Sequence, residues 1–313
     1  MDADTRKGLI FIGVSTFGYA LIPIFTKFIY QWSDLAPLDL VVWRFILAIP
    51  LMWGFALFWQ QQTSVIPPRG TLPRGQLLLT GLALGGAGLA VVSALPYIDA
   101  GVYVVLFFTY PAMTGILAAL LGEPLPWRGW LALALTTVGV ILTTPEIFSG
   151  GLADSQLLGV GLSLVNALAV AVYMVWIGRV TRGYPPTPWS TVWSVTGTVL
   201  LLAPLVLITG IATPGTVRVW LLFVGMSLLG TVVPVFGLTM GIRMLGASRA
   251  AIVGTLEPVL VIVLAYGLLG ERMLAIQLLG AALILASIVI LESRPTRRPR
   301  HNIRPYTPGD TRS

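Results

Sequence analysis

The chain contains no cysteine and a single histidine, His301. Without thiols there is no disulfide, thiolate nucleophile or Cys metal ligand, and one imidazole in a polar tail cannot build a His triad, a His metal cluster or a His proton relay. Charge is scarce as well: nineteen Lys and Arg with twelve Asp and Glu make up only 10% of 313 residues, against about 25% in soluble domains. So few charges cannot give a fold of this size a water-facing shell. These absences exclude a soluble globular protein, and they leave hydrolytic and metal-dependent enzymes without their usual side chains. No cofactor or metal is expected, and the chain reads as a non-enzyme.

What the chain has is apolar length. The AVILMFWYC residues make up 56% and the mean hydropathy is +0.90. About 20 apolar residues in a helix cross roughly 30 Å of hydrocarbon. Ten such runs can be read, at about 8–30, 38–59, 75–96, 99–121, 128–145, 157–179, 188–210, 217–242, 247–269 and 274–292. The expected fold class is an all-α integral membrane protein of ten transmembrane helices, with the lipid bilayer as its solvent. The first run is too long for a signal-peptide core and has no A-x-A site at its end, so it is read as uncleaved.

The net charge of +7 and pI near 10.0 would ordinarily point to nucleic acid. The basic residues instead sort by side, and no nucleic-acid partner is expected. One set of segments carries Arg6, Lys7, Arg69, Arg74, Arg128, Arg179, Arg182, Arg243, Arg249 and the arginines of the tail. The other carries only Arg218 and Arg272, with Asp34, Asp39, Asp99, Glu146, Asp154 and Glu271. Both termini are therefore expected in the cytoplasm. The tail 293–313, with four prolines among six arginines, has too little apolar content to fold.

A repeat is visible by eye. Leu121-Gly122-Glu123 closes the fourth run and Leu269-Gly270-Glu271 the ninth. Pro111 lies twelve residues before the first Glu, and Pro258 thirteen before the second. Five crossings per copy is an odd number, so the copies are inverted relative to each other, as in many secondary transporters. The expected organisation is a first five-helix repeat at 1–150 and a second, inverted one at 151–292 around a central cavity, with a disordered basic cytoplasmic tail at 293–313.

These motifs, in this order, resemble the drug/metabolite transporter superfamily, specifically its EamA-type members. The resemblance rests on Trp43-Arg44-Phe45, Ser93 through Gly101, Tyr110-Pro111, Leu121 through Leu125, Leu256-Glu257-Pro258-Val259 and Leu269 through Arg272. The first helix departs from the family pattern, with Phe17-Gly18-Tyr19 where Trp-Gly is usual. The resemblance implies a ten-helix inner-membrane carrier, often an exporter of amino acids or related metabolites.

Polar groups at membrane depth are costly unless paired or wet, so each is a candidate for the solute pathway. Glu257 stands near the middle of the ninth run. It can bind a substrate ammonium, carry a coupling proton, or pair with Arg44 as a structural acid. Arg44 can bind a carboxylate, pair with Glu257, or reach outward toward Asp39, whereas Lys27 is expected to extend its ammonium to the interface. Three helical stripes add to this: Ser15, Tyr19, Ile22 and Thr26; Tyr103, Phe107, Tyr110 and Thr114; Ser163, Asn166, Val170, Tyr173 and Trp176. The alternatives for these stripes are hydrogen bonds between helices and, near helix ends, an interfacial aromatic belt. Trp32, Trp59, Trp127, Trp130, Trp189 and Trp220 are read as belt anchors. The pathway set is thus Tyr19, Arg44, Tyr103, Tyr110, Asn166, Tyr173, Trp176 and Glu257, with Pro111, Pro234 and Pro258 as bend points for gating. Gly81, Gly85, Gly86 and Gly88 lie in an apolar helix without a preceding strand or adjacent Lys, which is packing context and not a phosphate loop.

The expected function is outward transport of small organic solutes, amino acids foremost, by alternating access. Carriers of nucleotide sugars or cationic drugs, and a non-transporting membrane sensor, are the other readings. A nucleotide sugar would call for several cations at mid-depth, and only Arg44 approaches it.

Overall fold

In a computed structural model that describes residues 3–63, 72–122, 127–143, 154–181, 188–245, 253–254 and 256–292, the chain is helical, with no strand among those residues. Readings that fall on Glu123-Pro124-Leu125, on 144–153, on the side chain of Trp59 and on the tail 293–313 lie outside the described residues.

The first three crossings are the helices Ala3–Trp32, Pro37–Thr63 and Arg74–Ala94. The fourth is in two pieces, Ala100–Phe107 and Tyr110–Leu120. The fifth, sixth and seventh are Trp127–Thr143, Asp154–Val180 and Pro188–Thr209. The eighth runs from Val217–Ser227 through a π turn, Leu228–Val232, into Val233–Leu245. The ninth is Glu257–Leu264 with a π turn, Ala265–Leu269, and the tenth is Ala275–Glu292. Seven of these are long and apolar enough to cross a membrane, and three shorter apolar helices complete the ten. Several helices overrun the apolar spans by a few residues, because backbone hydrogen bonding continues into the interface after hydropathy has fallen. The substantive differences are the interruptions in the fourth, eighth and ninth crossings, which a hydropathy reading cannot register.

The packing follows the inverted repeat. The first crossing packs on the eighth and the third on the sixth, which is the same pair once the two halves are exchanged. The fourth on the sixth and the ninth on the first are another such pair, while second with seventh, fourth with ninth and fifth with tenth map onto themselves. Small residues set the closest approaches, as lipid provides no hydrophobic drive between helices. A Cβ on Gly81 or on Gly197 would collide with the facing backbone, so the third and seventh helices touch main chain to main chain. Thr198 Oγ1 donates to the Gly81 carbonyl there at 2.9 Å, and the Thr80 and Ser194 hydroxyls meet at 2.7 Å. Gly88 packs on Phe45 of the second helix.

The ends of the crossings group as the charge pattern requires. Arg74 lies over Trp193 at 5.3 Å and Arg179 donates to the Leu121 carbonyl at 3.3 Å, both on the basic side. On the other side Arg218 stacks over Trp32 at 3.2 Å, and Asp39 accepts from the Ala36 and Ala212 amides, each at 2.9 Å. Lys27 forms an ion pair at this end with Glu271 at 3.1 Å, and the same carboxylate accepts from the Ala100 amide at 2.7 Å. Of the belt candidates, Trp127 and Trp130 are exposed. Trp32, Trp189 and Trp220 are half-buried against Arg218, Trp53 and Trp43 respectively. Large side chains such as Leu207, Ile208, Val263 and Tyr266 cover the perimeter, an apolar surface suited to lipid chains.

Candidate functional site

The fourth and ninth crossings break at equivalent places. Phe108 and Thr109 leave the helix, the Thr109 amide turns back to the Leu106 carbonyl at 3.1 Å, and a new helix starts at Tyr110-Pro111. In the ninth, the Leu256 amide turns back to the Val253 carbonyl at 3.1 Å and the helix starts at Glu257-Pro258. Proline lacks an amide hydrogen, which costs nothing in the first turn of a helix and would cost a bond inside one. Each Pro therefore fixes where its helix begins again. Pro234 comes directly after the π turn of the eighth crossing, and its carbonyl accepts from Ser15 Oγ at 2.7 Å.

Around these breaks five crossings bring polar side chains together. Tyr19 interacts electrostatically with Glu257, Tyr173, Arg44 and Tyr110, and Tyr103 with Glu257 and Arg44. Tyr103, Phe107 and Tyr110 form an aromatic ladder along the fourth crossing, with ring centroids 6.0 and 5.1 Å apart. Tyr19, Tyr110 and Glu257 are half-buried although they sit in the middle of their crossings, while Arg44, Tyr103 and Tyr173 are buried.

Arg44 and Glu257 do not pair with each other. Arg44 donates from Nε to Thr231 Oγ1 at 3.0 Å, and its guanidinium lies 5.3 Å from the Phe45 ring. Neither Glu257 nor Asp39 pairs with it, since Asp39 is committed to the two backbone amides at the loop. Among the described residues, the Glu257 carboxyl receives no hydrogen bond and forms no ion pair. A carboxyl at the first turn of a helix gains from the dipole, which supports it there without occupying its oxygens.

The remaining candidates divide. Asn166 is spent on packing: its amide donates to the Ala87 carbonyl and its oxygen accepts from the Tyr103 hydroxyl at 3.2 Å, so it ties the sixth crossing to the third and orients Tyr103. Tyr173 faces the hydroxyls of Ser194 and Thr191 on the seventh crossing. Trp176 is half-buried one turn further on. In the first stripe Ser15 is buried against the eighth crossing and Thr26 bonds back to the Ile22 carbonyl, so only Tyr19 of that stripe joins the cluster. Thr231 and Ser227 are not legible from sequence as partners of Arg44, because a hydroxyl in an apolar run carries no sign of its direction. Pro234, three residues on, is the only local hint of an irregular turn.

Two cavities, of about 430 and 260 Å³, lie away from this cluster, at the end of the bundle where Asp99 and Arg272 line both. Neither is lined by a residue of the expected pathway set, so the central cavity expected from the sequence is not one of them. Among the described residues no three His, Asp or Glu side chains gather as metal ligands.

The sequence profile of the EamA-like transporter family matches residues 6–144 and again residues 157–293. An uncharacterized transporter of Synechocystis is 34% identical over 202 residues, covering 63% of this chain and 60% of that relative, so the matched part is less than two thirds of the relative's length. The uncharacterized transporter YcbK of Bacillus subtilis is 24% identical over 309 residues, 93% of this chain and 94% of its own. A solved crystal structure superposes with a TM-score of 0.62 at 18% identity, covering 92% of this chain and 99% of that one, a likeness of fold alone.

Proposed function

The chain belongs to the EamA-like transporter family, and from that we propose that it is a secondary carrier of zwitterionic amino acids, aromatic ones included, working by alternating access. The observation that carries the reading is the unneutralised pair of Glu257 and Arg44 within one tyrosine-rich cluster. A carboxylate with free oxygens suits a solute ammonium, a guanidinium with free amino groups suits a solute carboxylate, and aromatic rings suit an apolar or aromatic side chain. The breaks before Pro111 and Pro258, with the π turn before Pro234, supply the bend points by which inverted halves rock about such a site. At the end opposite most of the basic residues, Glu271 ties Lys27 to the Ala100 amide.

The orientation proposed has both termini in the cytoplasm, residues 151–292 forming the second repeat, and the protein in the bacterial inner membrane with net export. A coupling proton on Glu257 is part of this proposal. Cationic solutes are the second reading, favoured by aromatic rings beside a carboxylate, and disfavoured by Arg44 in the same cluster. Purified protein in liposomes, assayed by counterflow against labelled amino acids, amines and nucleotide sugars, tests the substrate class. Exchange of amino acids is expected, and exchange of amines alone would move the assignment to the second reading. For orientation, Ser149→Cys in this Cys-free chain is expected to react with an impermeant maleimide from outside; labelling only after lysis would reverse the topology.

A further inference from the structure

Arg44 is held from two directions by one irregular turn. Ser227 Oγ donates to the main-chain carbonyl of Arg44 at 2.9 Å, and Thr231 Oγ1 accepts from the guanidinium Nε at 3.0 Å. The Thr231 hydroxyl hydrogen is itself engaged, donating to the Met226 carbonyl five residues back at 3.3 Å. Ser227 is fully buried, Thr231 is 4% exposed and Arg44 8%. Ser227 ends the regular helix and Thr231 lies inside the π turn Leu228–Val232. Four residues apart, the two share the face turned to the second crossing, and the wide turn shows in the Thr231 hydroxyl bonding five residues back.

A guanidinium offers five N–H donors in a planar fork, with one edge formed by Nε and an amino group and the other by the two amino groups. Thr231 occupies Nε, so the edge through Nε is closed to a bidentate ligand, and the two amino groups have no partner among the described residues. The acceptor is neutral, which leaves the positive charge of Arg44 uncompensated; an acid at this position would have cancelled it. We infer that Thr231 is a positioning and specificity-determining residue, one that fixes Arg44 so that its amino edge receives a solute carboxylate end-on. This rests on the proposal that Arg44 and Glu257 hold the two ends of an amino acid, and it adds a residue and a geometry to it.

The test is counterflow in liposomes with labelled tryptophan, and with tryptamine, which lacks the carboxylate, as competitor. Thr231→Val keeps the shape and removes the acceptor. It is expected to raise half-saturation for tryptophan about tenfold, the equivalent of one charge-assisted hydrogen bond, while the inhibition constant of tryptamine stays within about twofold. Thr231→Ser should restore the wild-type value. If the Val variant does not fold, Thr231→Asp is read in its place, and it should depress tryptophan and spare or improve tryptamine. Equal loss for both compounds, or no change for tryptophan, would overturn the positioning role while leaving the carrier reading intact. A wild-type protein that exchanges neither compound nor any other amino acid would overturn both.

Discussion

In the fourth crossing the helix stops at Phe107 and starts again at Tyr110-Pro111; in the ninth it starts again at Glu257-Pro258 after the turn at Leu256. From there the two run to the same kind of ending, a glycine in the left-handed region, Gly122 at φ +93° and Gly270 at φ +71°. The ninth is one residue longer between its proline and its glycine, and the surplus is taken up in the π turn Ala265–Leu269, closed by the Glu271 amide on the Ala265 carbonyl at 3.2 Å. An insertion in a membrane helix is tolerated when a wide turn keeps the backbone bonded. The comparison teaches that the backbone device is duplicated and the chemistry is not. A neutral phenol stands at one break and a carboxyl at the other, so the charge at the junction belongs to one half.

Exchanging that chemistry should have the largest effect. Glu257→Tyr, which gives the second break the residue of the first, is expected to lower amino-acid exchange in liposomes at least a hundredfold, whereas Tyr110→Phe should stay within about threefold, since Phe107 and Phe108 still flank the ring. Comparable losses in both would erase the asymmetry. The next effect lies at the helix ends. Glu271 serves Lys27 and the Ala100 amide together, so Glu271→Ala should cost about 2 kcal/mol in unfolding experiments and Glu271→Gln about 1 kcal/mol, because the amide oxygen still accepts from Ala100. Equal losses for Ala and Gln would mean that the ion pair, not the backbone contact, holds this end. The smallest effect concerns the two glycines. Among the described residues, chain neighbours aside, no atom lies within 4 Å of a Cβ built on either, so Gly122→Ala and Gly270→Ala should each cost about 1 kcal/mol, from conformation alone. A much larger loss at Gly270 would show that the π turn before it is strained.

Much of this architecture is legible in the amino-acid sequence. The ten crossings emerge from apolar length, and the Pro-to-Glu spacing of twelve and thirteen already contains the extra residue that the π turn absorbs. Depth and stripe geometry single out Tyr19, Arg44, Tyr103, Tyr110, Asn166, Tyr173, Trp176 and Glu257, of which Tyr19, Arg44, Tyr103, Tyr110, Tyr173 and Glu257 lie near one another. What the sequence does not carry is direction. Arg44 has a solute carboxylate, Glu257 and Asp39 as conceivable partners, and its Nε takes Thr231, a hydroxyl in an apolar run whose direction no hydropathy pattern records. Asn166 and Ser15 stay out of the cluster for a related reason. A polar group within a membrane helix is satisfied by whichever helix packs closest, and small residues on the third and eighth crossings bring backbone carbonyls within their reach.

The central claim is that Glu257 and Arg44 grip opposite ends of one solute. Counterflow of labelled tryptophan by purified Glu257→Gln, beside the wild type, tests it most directly, because the amide keeps the shape and loses only the charge. A two-ended grip predicts a rise in half-saturation of at least tenfold for zwitterionic tryptophan, a larger one for cationic tryptamine, and little change for indole propionate, which has no ammonium to lose. Wild-type rates and affinities for all three compounds, accompanied by a lower unfolding temperature, would contradict it and make Glu257 a structural acid.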